Sequence, residues 1–241
     1  MVMNQELRGW FFTNEALADF LWRLPDQNKI KRVFGIVGSG DFAFNLLSQT
    51  INIEQMVLCD LRLKSCLTVR LKRLFFKTLS RSEVVSFLFN KTVLKKFKKS
   101  DFWYKDSFLS HNHLTEYIPY LLLDDRFNKL QNNLSKLEII PGDFLAVIKN
   151  FPDGYFDLIY VSNIFDSQSY FQPTNEETVL IKNKLSASGR LLVVAQDTEK
   201  EITKKTILAG FSLQASEIHH FNFWRALWRY DYSFLLFKKV D

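Results

Sequence analysis

The residues of this chain best suited to chemistry lie in short stretches that each end an apolar run. The first is Gly38-Ser39-Gly40-Asp41, which comes after Val33 to Val37 and leads into a helical stretch beginning near Phe42. A strand-to-helix turn built on glycine lets backbone amides approach a ligand closely, in the crevice outside the carboxyl ends of the strands. The pattern Gly35-x-x-Gly38-x-Gly40 also matches many tight turns, so it gains meaning only in combination with an acidic residue further along the chain. Asp60, beside Leu61, closes the run Met56 to Cys59 about 20 residues after the glycine turn. An acidic side chain there accepts hydrogen bonds from both ribose hydroxyls of a nucleoside; the same carboxylate could instead cap the next helix.

Two more stretches extend the set. Asp143 and Phe144 come after Leu137 to Ile140 and the Pro141-Gly142 step. In folds that bind S-adenosylmethionine (SAM) this carboxylate position faces the adenine amino group, and the adjacent ring could pack on the base. A helix cap is again the competing account. Tyr160, Ser162, Asn163 and Asp166 lie along and just beyond the run Phe156 to Val161, where such a fold presents groups to the reacting end of the cofactor. Tyr160, Asn163 and Asp166 are therefore the candidate catalytic residues, with Asp166 as general base or as a cap. Gly38, Ser39, Gly40, Asp41, Asp60, Leu61, Asp143, Phe144 and Ser162 are the candidate cofactor contacts.

The sequence holds no Ser-His-Asp or Cys-His arrangement for nucleophilic catalysis and no His/Cys/Glu cluster at metal-ligand spacing, so no metal is expected. His111, His113, His219 and His220 read as solvent-facing loop residues, and Cys59 and Cys66 as reduced, structural thiols.

Such residues need a scaffold that gathers strand ends, and the rest of the chain has the pattern of one. From Lys31 onward, apolar runs alternate with helical stretches, the order that produces a parallel sheet with helices on both faces. Beyond the strands already named, Arg190 to Ala195 reads as a fifth, and Phe211 to Ile218 with Tyr232 to Phe237 as a closing antiparallel pair. Helices are expected from Phe42, from Phe144 and over Glu176 to Leu185. A basic amphipathic helix is expected from about Leu61 to Leu79, with Leu67, Leu71, Leu74 and Phe75 at helical spacing. Residues 80–135 read as a helical insertion after strand 2, with Glu83 to Phe89 and Asp125 to Leu134 helical. Connections of that size tend to be functional. Residues 1–30 form an aromatic helical lead-in, laid across the sheet edge or the ligand mouth.

The glycine turn and the acidic residue would serve NAD equally well. The closing antiparallel pair is the methyltransferase pattern rather than the dehydrogenase one. The expected fold is thus α/β, the Rossmann-like class I SAM-dependent methyltransferase fold, in a single domain over 1–241.

Length and composition agree with this. A chain of 241 residues suffices for one α/β domain with a full core, and 47% apolar with 24% charged residues is globular rather than disordered. No stretch reaches the roughly 18 apolar residues of a membrane span, and Met1 to Glu6 lacks the order of a signal peptide, so the expected location is cytoplasmic. The net charge of +6 is open to three readings: nucleic acid, peripheral contact with an anionic membrane, or a basic solvated face.

Three stretches resemble one family, the SAM:diacylglycerol 3-amino-3-carboxypropyl transferases of betaine-lipid synthesis. They are VFGIVGSGDFAFNLL (Val33 to Leu47), CDLRLKSCLTVRLKRLFFKTLSRSEVVSFLF (Cys59 to Phe89) and FDLIYVSNIFD (Phe156 to Asp166). The resemblance covers roughly Lys31 to Asp166 and implies a SAM-dependent transferase that moves the 3-amino-3-carboxypropyl group. Where the family tends to show Asn-Pro-x-Gln after the acidic residue, this chain has Arg62-Leu63-Lys64-Ser65, so the acceptor is left open among lipid, small molecule and protein. The fold alone favours methyl transfer, and a non-catalytic nucleoside-binding protein is the third reading. The absence of an Asp/Asn-Pro-Pro-Tyr motif after strand 4 disfavours a nucleic-acid methyltransferase. The segment His219 to Tyr230, with four large aromatic rings besides Tyr230 and two arginines, is expected to cover the acceptor site, dock on an anionic surface, or pack on the sheet edge.

Overall fold

A computed structural model describes Phe20 and residues 27–49, 52–88, 119–162, 174–195, 210–222 and 229–240. The strands are β1 (Arg32–Ile36), β2 (Gln55–Asp60), β3 (Leu137–Pro141), β4 (Phe156–Ser162), β5 (Leu185–Ala195), β6 (Phe211–Asn222) and β7 (Arg229–Lys239). They form one sheet in the order β3-β2-β1-β4-β5-β7-β6. All neighbours from β3 to β5 pair in parallel, and β7 runs antiparallel to both β5 and β6. The strand order reverses between β1 and β4, the topological position at which open α/β sheets bind their ligands.

Alternation of side chains across the sheet divides the core in two. Val33, Met56, Leu58, Leu158 and Leu192 face one layer, while Phe34, Val57, Ile159, Leu191 and Val193 face the other. Central parallel strands buried on both faces read as continuous apolar runs, which is why these segments are legible. On the first face lie α1 (Asp41–Gln49), α2 (Leu63–Thr78), α3 (Arg81–Leu88), α4 (Pro119–Leu122) and α5 (Asp124–Asn133). On the second lie α6 (Phe144–Lys149) and α7 (Asn175–Lys184). A capping box starts α7: Thr174 accepts from the Glu177 amide while the Glu177 carboxylate accepts from the Thr174 amide. α1 is buried from Asp41 to Ser48, since α4 and α5 cover the side turned away from the sheet.

The structure amends several expectations. In α2 the sheet-facing residues are Ser65, Cys66, Val69, Lys72 and Phe76, whereas Leu67, Leu71 and Leu74 are exposed. The leucine periodicity was legible, but it marks the outer face. β6 and β7 run on to Asn222 and start at Arg229, so His219 and His220 belong to a paired strand, opposite Tyr232 and Asp231, and not to a loop. β5 begins at Leu185, earlier than its apolar run suggests, because Phe156 of β4 pairs with Leu185 through an irregular register. The insertion is helical wherever it is described, over 81–88 and 119–136, and 89–118 lie outside the described residues. Of the lead-in, Phe20 is helical and buried, its ring 5.6 Å from Phe234 of β7. Among the described residues no helix is long and apolar enough to cross a membrane.

Candidate functional site

The site is assembled by register. Ile36 of β1 pairs with Cys59 of β2, Cys59 with Ile140 of β3, and Asp60 with Pro141, so the three strands end level with one another. The Val37 amide donates to the Cys59 carbonyl at 3.0 Å and the Gly142 amide to the Asp60 carbonyl at 3.0 Å, which carries the alignment past the strand ends. The Gly38 turn, Asp60 and Asp143 therefore stand side by side above the sheet.

The glycine turn is closed by the Gly40 amide donating to the Val37 carbonyl at 2.7 Å. Both glycines hold positive φ, +48° at Gly38 and +82° at Gly40, a region that favours glycine. Their surroundings differ. A Cβ on Gly40 would lie 2.8 Å from both methyl carbons of Val69, whereas one on Gly38 would meet nothing within 4 Å. Gly40 is thus required by the packing of α1 on α2, and Gly38 by its backbone angle, with open space above it.

Beneath this turn lies a buried polar cluster that sequence reasoning missed. Lys72 of α2 donates to the Ser39 carbonyl at 2.9 Å and to Asp41 Oδ1 at 3.1 Å. Tyr120 of α4 donates its hydroxyl to the same Oδ1 at 2.6 Å, and Ser39 Oγ donates to Asp41 Oδ2 at 2.8 Å. Both ionic side chains are buried. Burial pushes the Lys72 ammonium below its ordinary range, and the Asp41 carboxylate beside it pulls the other way. The Asp41 carboxylate and the Ser39 hydroxyl thus take part in the turn's own hydrogen bonds. Lys72 is in phase with Cys66, Val69 and Phe76, and it is the packing of that side on the sheet that makes the lysine a buried one.

Asp60, at the end of β2, is half-buried. Its Oδ1 accepts from the Arg62 amide at 2.8 Å. Burial raises its pKa above the usual carboxylate range, while the backbone amides of Arg62 and Gly38 and the Arg62 charge oppose the shift. The influence of the Gly38 amide places this carboxylate against the glycine turn. Arg62, the N-cap residue of α2, makes no side-chain capping bond, and Asp60 forms a local turn rather than a helix cap. Leu61, next to it, is exposed. Asp143 does cap a helix, accepting from the Ala146 amide at 2.9 Å through Oδ1. The Phe144 ring is buried on the second face, 5.0 Å from Phe34.

Of the candidate catalytic residues, Tyr160 is buried on β4, level with Gly35, with its ring stacked on Phe42 at 3.8 Å and 10°. A Cβ on Gly35 would lie 3.1 Å from Tyr160, so the missing side chain there makes room for this ring. Ser162 ends β4 opposite Val194 and is partly exposed. Asn163 and Asp166 lie outside the described residues. Burial pushes the Cys59 and Cys66 thiols up, towards the protonated form. Among the described residues no group of three metal-ligating side chains converges.

No protein-family model matches the chain, and no curated protein matches it. Solved structures do. A complex between the Haloferax volcanii Trm112 methyltransferase activator and a candidate methyltransferase aligns over 97% of this chain and 90% of the other, with 14% identity and a TM-score of 0.54. A candidate sarcosine dimethylglycine methyltransferase from Galdieria sulphuraria aligns over 93% and 85%, with 9% identity and a TM-score of 0.52. Other neighbours are longer proteins: the chain spans 58% of the [4+2]-cyclase SpnF and 60% of Thermotoga maritima spermidine synthase, each at a TM-score of 0.48. At such identities the likeness concerns the backbone and not the reaction. The chain has the Rossmann-like fold of the class I SAM-dependent methyltransferases: a mostly parallel seven-stranded sheet closed by one antiparallel strand.

Proposed function

We propose that the chain is a SAM-dependent transferase that moves the 3-amino-3-carboxypropyl group to an acceptor. The observation that carries SAM binding is the level arrangement of Gly38, open above its positive φ, beside the half-buried carboxyl of Asp60. A side chain on Gly38 would occupy the space over the turn, so the residues present fit a nucleoside. Asp60 would accept from the two ribose hydroxyls, and the backbone of the glycine turn, open above Gly38, would face the amino-acid portion. Asp143 would contribute the carboxylate oxygen that its cap does not use. Ser162 and Tyr160 would border the reacting end. Asp41 and Lys72 would act from below, as positioning residues that hold the turn in shape.

Bound SAM supplies a sulfonium whose attached carbons are electrophilic. The chain's own task is to orient an acceptor lone pair behind one of those carbons and to exclude water. Transfer of the aminocarboxypropyl group breaks the sulfur bond to that side chain, leaves methylthioadenosine and releases the acceptor's proton. Methyl transfer leaves S-adenosylhomocysteine instead. The first outcome rests on the three stretches that resemble the aminocarboxypropyl transferases, and the second is favoured by the fold, whose neighbours are described as methyltransferases.

Mass spectrometry of the nucleoside released on incubation with SAM and candidate acceptors separates the two. Methylthioadenosine is expected. S-adenosylhomocysteine would replace the reading by methyl transfer, and tight binding without either product would make the protein a nucleoside-binding module. Asp60→Ala should weaken SAM binding about ten- to a hundredfold. An unchanged dissociation constant in a folded variant would refute the site.

A further inference from the structure

We propose that the outer face of α2 is a docking surface for an anionic lipid bilayer. Five exposed leucines lie on this element or at its start: Leu61 at 74%, Leu63 at 56%, Leu67 at 52%, Leu71 at 47% and Leu74 at 54%. Positions 63, 67, 71 and 74 follow the i, i+4, i+8, i+11 spacing of a single helix face. A soluble helix ordinarily turns such a stripe to the core. Here the sheet side is filled by Cys66, Val69, Lys72 and Phe76, and the leucines are left to the solvent.

The charge on the same helix selects the occupant. α2 carries Lys64, Arg70, Lys72, Arg73 and Lys77 and no acidic residue. Lys72 is consumed inside the core. By helical angle, Arg70 and Lys77 border the stripe on one side and Lys64 on the other, while Arg73 falls at the angle of the buried row and is half-buried, and the Arg70 guanidinium bonds the Ile139 carbonyl at 2.8 Å. Leucines framed by cations of one sign are the composition of a helix lying in a bilayer interface, with its apolar face among acyl chains and its bases at anionic headgroups. A second copy of this chain fits poorly, because two such faces would oppose cations with no acid on either helix to meet them. A folded protein partner fits less well too, since interface centres favour aromatic anchors in pockets and are depleted in lysine, whereas this is a convex leucine ridge. The helix has 16 residues and carries Lys64, Arg70 and Lys77 exposed, so it lies on a bilayer rather than spanning it. Because the ridge begins one residue past Asp60, a docked molecule holds the carboxyl end of β2 close to the surface. The inference does not depend on which group, if any, is transferred.

The test is co-sedimentation of the full chain with vesicles of equal parts phosphatidylcholine and phosphatidylglycerol, against vesicles of phosphatidylcholine alone. The wild type is expected to bind the anionic vesicles, more weakly as salt rises, and to ignore the neutral ones. The combined variant Leu67→Ser, Leu71→Ser, Leu74→Ser should bind at least about tenfold more weakly, with its melting temperature unchanged or raised. A fluorophore on Leu71→Cys, where Cys59 and Cys66 are buried, should shift to the blue on anionic vesicles, and this readout decides if the serine variant does not fold. The proposal is overturned if the wild type ignores anionic vesicles at low salt, or if the folded serine variant binds them undiminished. It is overturned equally if sedimentation equilibrium shows a dimer that the serine changes dissociate, which would make the ridge a contact between copies.

Discussion

Replacing Lys72 by methionine tests the cluster beneath the glycine turn most directly. The change keeps side-chain length and packing against the sheet but removes the cation that lies 3.1 Å from Asp41 and 2.9 Å from the Ser39 carbonyl. Asp41 is then a buried carboxylate still held by the hydroxyls of Tyr120 and Ser39 but without its cation. Removing one partner of a buried pair costs about 3–5 kcal/mol, because the remaining charge loses its compensation without returning to water. At about 2–4 °C per kcal/mol for a chain of this size, Lys72→Met should melt about 6–20 °C lower than the wild type. The control is the double variant Lys72→Met, Asp41→Asn, in which the uncompensated charge is gone while an acceptor for Tyr120 remains. Urea denaturation of the four species in the cycle should show the double variant more stable than Lys72→Met alone. Additivity within about 0.5 kcal/mol, or a loss below about 1 kcal/mol in the single variant, would refute the coupling. Because the buried site is shaped for a compact ammonium, the planar guanidinium of Lys72→Arg should not restore wild-type stability.

The same geometry predicts three further outcomes. Gly40→Ala should be markedly more destabilising than Gly38→Ala in thermal denaturation, because both carry a left-handed backbone penalty of about 1–2 kcal/mol but only the first meets Val69 at 2.8 Å; equal losses would contradict the packing assigned to Gly40. Asp60→Asn should stabilise the free protein at neutral pH while weakening SAM. The folded Asp60 carboxyl is raised by burial, so the native state binds its proton more tightly than the unfolded chain. Its contribution is therefore greatest below the ordinary carboxylate pKa and declines as pH rises towards the folded value, and a stability profile over that window should flatten in the variant. Asp143→Ala should lower stability by about 0.5–2 kcal/mol through loss of the α6 cap even without ligand, as read by denaturant midpoint.

Much of the scaffold was readable from composition and order alone. The strands Val33 to Val37, Met56 to Cys59 and Phe156 to Val161 announce themselves because a parallel strand covered on both faces must be apolar throughout. Glycine at 38 and 40 and aspartate at 60 are legible because few other residues satisfy a left-handed turn or a paired acceptor at a strand end. Direction of burial was not legible in α2, where the leucine ridge and the row Cys66, Val69, Lys72, Phe76 have the same helical period, and only the sheet decides which of them it covers. Nor could local pattern show that Asp41, 31 residues from Lys72 and 79 from Tyr120, belongs to their buried cluster, because ion pairs between distant segments leave no periodic trace. The extension of β6 through His219 and His220 has the same origin: the strand continues because β7 offers a partner for each residue, whatever the intrinsic preference of the side chains. Residue types determined which groups stand at the strand ends, and tertiary packing determined that the Asp41 carboxylate is held in a buried cluster while Asp60 is half-buried at the end of β2.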